Sequence, residues 1–177
     1  LLFSNTIVSP KSGLRLTAGP RTKQEPVVVL SGLKGPGDPL LLRNKCYLRL
    51  TMTLYIEETE KGPRLKVRMS SMQYQLDLEG QRWIFRYDYN RQRPDAHPSN
   101  HLHVRGCLSD NCLPKGKLLE RIHFPTHRFT LEAIIRLLIE EFQVKAIQPE
   151  AIWRQALAES EAAFLEIAHQ ATSGPSK

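Results

Sequence analysis

Arg86, Asp88, His101, His103 and Arg105 are the residues of this chain whose types and spacing suit proton transfer beside a phosphate. Histidine titrates near neutrality and can act as acid or base. Arginine presents a planar donor fork that matches phosphate oxygens. Metal-independent RNA cleavage needs a base for the 2′-hydroxyl proton, an acid for the leaving oxygen and cations for the charge of the phosphorane. His101 and His103 are the acid and base candidates, and Asp88 is the carboxylate that orients an imidazole. Arg86 and Arg105 are phosphate candidates. Lys66 and Arg68, on the preceding strand, extend the cationic surface, and Arg128 adds a nucleic-acid contact before a helix. The plainer alternative is a solvated sheet face with ordinary charge pairs.

Two further groupings carry less. His97, His101, His103, Cys107 and Cys112 fall within sixteen residues, and zinc favours such donors. No C-x-x-C occurs, and the 107–112 spacing is wider than in common zinc knuckles, so neither a metal nor a cofactor is expected. His123, His127 and Arg128 precede a helix whose N-terminus favours anions. The sequence contains no P-loop, dinucleotide fingerprint, G-x-S-x-G or H-E-x-x-H.

These side chains need a sheet to bring them together. Leu48, Leu50, Met52, Leu54 and Ile56 alternate with Arg49, Thr51, Thr53 and Tyr55, the period of a half-buried strand. Leu65, Val67 and Met69 start a second strand, after the polar turn from Glu58 to Pro63. Its apolar set shifts parity to Met72, Tyr74, Leu76 and Leu78, which predicts a β-bulge near Ser70-Ser71. Trp83, Phe85, Tyr87 and Tyr89 alternate with Arg82, Ile84, Arg86 and Asp88 in a third strand. In His101–Arg105, Leu102 and Val104 can face the core, which puts His101, His103 and Arg105 on the other side. Ile122 and Phe124 suggest a last strand. Thr130 is a candidate N-cap, with Glu132 in the first turn and Leu131, Ile134, Ile135, Leu138 and Phe142 as the buried face. A second helix starts at Pro149.

Residues 1–45 carry Pro10, Pro20, Pro26, Pro36 and Pro39 and five glycines, which argues against a long helix. They read as an extended arm in which Val27–Leu30 could form a short strand. Residues 46–172 read as a single α+β domain and 173–177 as a disordered tail. The expected fold is an antiparallel four- to five-stranded meander sheet backed by two C-terminal helices.

Composition narrows the partners. Among 177 residues, 25 Lys and Arg face 18 Asp and Glu, a net charge of +7. Such a balance favours a polyanion, here nucleic acid and RNA in particular. Three cysteines are too few for a disulfide scaffold and fit a reducing, cytoplasmic setting. No apolar run reaches the length of a membrane span. Leu1-Leu2-Phe3 lacks both an initiator Met and the basic start of a signal peptide, so targeting is not read from it.

Arg86-Tyr87-Asp88, a histidine-bearing loop and the closing His101-Leu102-His103 together resemble the TumE-like toxins of bacterial toxin–antitoxin modules, relatives of the RelE/barnase-like ribonucleases. The resemblance spans about residues 83–142 and carries over Arg86, Asp88, His97, His101 and His103. It implies a toxin-like ribonuclease with a cognate antitoxin as partner. The alternative is a non-catalytic subunit of a bacterial defence or mobile-element complex, holding nucleic acid or protein on its basic face.

Overall fold

The structure, a computed structural model, describes residues 6–18, 27–60, 62–91, 99–105, 122–124 and 129–170. Its strands are β1 (Leu14–Ala18), β2 (Val27–Gly32), β3 (Leu40–Leu41), β4 (Tyr47–Glu57), β5 (Arg64–Gln75), β6 (Trp83–Asn90) and β7 (Asn100–Val104). Two helices follow, α1 (Leu131–Glu140) and α2 (Glu150–Gln170). The strands form one antiparallel sheet in the order β1-β2-β4-β5-β6-β7, with β3 also paired to β4. The class is α+β.

Among the described residues the sheet has seven strands, more than the four or five expected. The additional pairing comes from the segment expected to be an arm. Proline and glycine there limit strand length without preventing strands. Gly32 is where the chain folds back after β2: a Cβ at this position would lie 2.2 Å from the Asp38 carbonyl oxygen. Gly35 and Gly37 take positive φ values that favour glycine. The Asp38 carboxylate closes the turn by accepting from the Lys34 N–H at 3.0 Å. Ile7, Val8, Leu40 and Leu42 are all buried. The Ile147 N–H donates to the Thr6 carbonyl at 2.7 Å, tying the early chain to the segment between the helices.

One sheet face packs on the helices. Leu48, Leu50, Met72, Tyr74, Phe85 and Tyr87 meet Ile134, Ile135, Leu138, Phe142, Trp153 and Leu157 in one core. Its aromatic centre joins Tyr74, Phe85 and Phe142 with ring centroids 4.9–5.6 Å apart. Tyr87 stacks on Phe129 at 3.6 Å. Thr130 caps α1, its hydroxyl accepting from the Ala133 N–H at 3.1 Å. No helix among the described residues is long and apolar enough to cross a membrane.

Two irregularities set which side chains reach the other face. Thr53 pairs with Met69 and Leu54 with Val67, so Arg68 is the extra residue of a bulge. The expected position, Ser70-Ser71, is two residues too late. Leu65 and Val67 share parity with Ser70, Met72 and Tyr74 once Arg68 is skipped, and hydropathy alone does not locate the skip. The second irregularity leaves Ile84 unmatched, since Gln75 pairs with Trp83 and Tyr74 with Phe85. Ile84, expected among the polar-face residues, is fully buried there. The last strand expected at Ile122 and Phe124 is absent from residues 122–124: Ile122 is buried and Phe124 packs edge-on to Phe85, both without strand pairing. The tail at 173–177 lies outside the described residues.

Candidate active site

Strand register assembles the site. Ser71, Asp88 and His101 form one cross-strand row on β5, β6 and β7, and Gln73, Arg86 and His103 form the next. Neighbouring strands lie about 4.8 Å apart, so side chains in adjoining rows can touch. Asp88 is the hub. Its Oδ1 accepts from the Ser71 hydroxyl at 2.7 Å, and its Oδ2 accepts from Arg86 Nε at 2.8 Å. His103 Nε2 lies 3.3 Å and His101 Nε2 3.7 Å from the same Oδ2. The two imidazoles meet edge to face, their centroids 4.7 Å apart.

The cluster is sheltered but open to solvent. The Asp88 and His101 side chains are 21% and 24% exposed, whereas those of Arg86 and His103 are 37% and 42% exposed. A ligand arriving from solvent therefore meets His103 and Arg86 first, with the carboxylate beneath them. The donor atoms of Asp88, His101 and His103 all lie within 4.8 Å of one another, so this trio could also hold a metal ion.

The other candidates are not gathered here. Lys66 pairs with the Glu57 carboxylate, and the Arg68 guanidinium lies 5.6 Å over the Tyr55 ring. Lys66 stands opposite Tyr55, four residues along β4 from the row of Thr51, Ser71 and Asp88, or about 13 Å away. Arg105 shares the histidine side of the chain by alternation, but its guanidinium donates to the Gln81 carbonyl in the turn before β6. Arg128, His127, His97, Cys107 and Cys112 lie outside the described residues.

Tyr87 belongs to the helix side. It is buried, and burial pushes its phenol above the usual tyrosine range. Leu102 and Val104 lie opposite Tyr87 and Phe85, yet remain 36% and 37% exposed. A cleft of about 220 Å³ on that side, lined by Leu54, Val67 and Phe164 among others, shares no residue with the histidine cluster. Burial raises the Cys46 thiol as well, keeping it away from thiolate chemistry.

Sequence reasoning missed Ser71, Gln73 and Arg49. Ser71 holds Asp88, and Gln73 lies between Arg49 and Arg86 in the neighbouring row. Arg49 donates to the Leu78 and Glu79 carbonyls and so braces the turn before β6. A bulge placed at Ser70-Ser71 leaves the face of Ser71 undefined, whereas one at Arg68 puts Ser71 and Gln73 beside Asp88 and Arg86. No family model matches the chain, and no curated protein or solved structure matches it either.

Proposed function

We propose that the outer sheet face is the active site of a toxin-like, metal-independent ribonuclease. The observation that carries this reading is the single carboxylate oxygen of Asp88, contacted by Arg86 and faced by the Nε2 atoms of both His101 and His103. The shorter approach is that of His103. An Nε2–H aimed at Asp88 fixes the tautomer and leaves the lone pair on Nδ1, the form that a general base needs. His103 takes the proton from the 2′-hydroxyl, and the 2′-oxygen attacks phosphorus. His101, as the imidazolium, gives its proton to the departing 5′-oxygen. The products are a 2′,3′-cyclic phosphate and a 5′-hydroxyl. Arg86 offsets the charge that gathers on the phosphorane oxygens. The net charge of +7 and the resemblance to TumE-like toxins favour RNA as substrate and an antitoxin as partner.

The test is incubation of end-labelled RNA in EDTA with the wild-type protein and with a His101→Ala/His103→Ala variant. Cleavage by the wild type alone, leaving cyclic-phosphate ends, supports the enzyme. If both proteins bind RNA in a salt-sensitive manner and neither cleaves it, the surface is a binding platform and the enzyme reading fails.

A further inference from the structure

Both imidazoles present Nε2 to one carboxylate oxygen, at 3.3 and 3.7 Å. One carboxylate can orient both rings for proton transfer, and the same convergence is what the ligands of one small cation require. Zinc binds His nitrogen and Asp oxygen at about 2.0–2.2 Å, and tetrahedral angles then set neighbouring ligand atoms about 3.3 Å apart. His103 Nε2 and Asp88 Oδ2 already have that separation, and all three donor atoms lie within 4.8 Å of one another. Closing the trio on an ion takes side-chain movements of about an ångström, well within rotamer adjustment at this exposure.

We infer that Asp88, His101 and His103 form a three-donor site for a divalent transition-metal ion of the zinc class, with a fourth position open to solvent. Two imidazoles and one carboxylate suit zinc better than magnesium or calcium, which prefer all-oxygen shells. Ser71 donates to the other carboxylate oxygen, Oδ1, and so fixes the plane of the ligand before any ion arrives. His101 and His103 are two residues apart on β7, and both rows are locked to β6 by ladder pairing. Arg86 is the opposing element, since its guanidinium occupies Oδ2 and places a positive charge beside the ion.

The metal uses the same Nε2 lone pairs that acid–base work needs protonated or aimed at Asp88. Metal binding and proton transfer by these histidines are therefore mutually exclusive. If the ribonuclease reading holds, on which this last step rests, zinc is its inhibitor and a chelator its activator.

The experiment uses the full chain, stripped with EDTA and dialysed, and titrated calorimetrically with ZnCl₂. One zinc per chain is expected. His101→Ala or His103→Ala should each remove measurable binding. Ser71→Ala should weaken it about 10-fold or more, while Arg86→Gln should tighten it. Cys107→Ser/Cys112→Ser should leave it unchanged. A histidine-labelled sample gives a readout independent of variant folding: zinc should shift the Nε2 resonances of His101 and His103 and leave His123 in place. Absence of binding overturns the inference, as does binding that survives His103→Ala and disappears in the cysteine variant. Zinc binding by the trio in a protein that never cleaves RNA keeps the inference and removes the enzyme. Cleavage in EDTA that zinc leaves intact removes the regulatory step.

Discussion

Asp88 concentrates the chemistry of this surface into one carboxylate, and it provides the sharpest substitution. Asp88→Asn keeps the shape and an oxygen for the Ser71 hydroxyl but removes the charge that faces Arg86 and the imidazoles. On the proposed ribonuclease reading, RNA cleavage should fall by about 100-fold or more, while stability changes by only about 1 kcal/mol. Single-turnover rates beside a urea titration separate the two effects. The buried phenols give a second expectation. Burial pushes Tyr74 and Tyr87 above the usual tyrosine range, so the folded chain keeps protons that the unfolded chain releases from about pH 10 upward. Their contribution to stability is complete below that pH and is lost as pH rises toward the folded values. A spectrophotometric titration should show at least two of the five tyrosines ionising only as the protein unfolds. At this scale alternation was informative: it put Arg86, Asp88, His101 and His103 on one face. It did not show that Lys66 and Arg105 spend their charge on Glu57 and on the Gln81 carbonyl, because those partners depend on where strands and turns end.

The elements were legible in proportion to their length and regularity. β4 and α1 follow directly from period-two and period-3.6 patterning, with Thr130 acting as the cap its type suggests. The short strands β1, β2 and β3 were not fully legible, because two to six residues between prolines and glycines give too little periodicity to read. Long-range pairing to β4 supplies what local sequence withholds. The turn between β2 and β3 gives a direct check. Gly32→Ala forces a Cβ against the Asp38 carbonyl and should cost about 2 kcal/mol or more, read from the urea midpoint. An alanine that left the midpoint unchanged would show that this turn relaxes freely.

For the molecule as a whole, the described part of the first 45 residues supplies side chains to the core. Ile7, Val8, Leu40 and Leu42 are buried, each contributing about 1.5–3 kcal/mol by the area it removes from water. Together they match much of the 5–15 kcal/mol, roughly, by which a domain is stable at all. A chain beginning at Cys46 should therefore fail to give a cooperative thermal transition, and circular dichroism during a melt checks it. The bulge at Arg68 also has a consequence for chain length. β5 carries one residue more than its ladder with β4 can use, so the strand tolerates a deletion at that point and nowhere nearby. Removing Arg68 joins Val67 to Met69 in regular alternation and leaves every core side chain on its own side. Removing Ser71 instead inverts part of the strand, sending core residues to solvent and site residues inward. The Arg68 deletion should thus melt well above the Ser71 deletion, making this bulge the place where the sheet can change length without changing face.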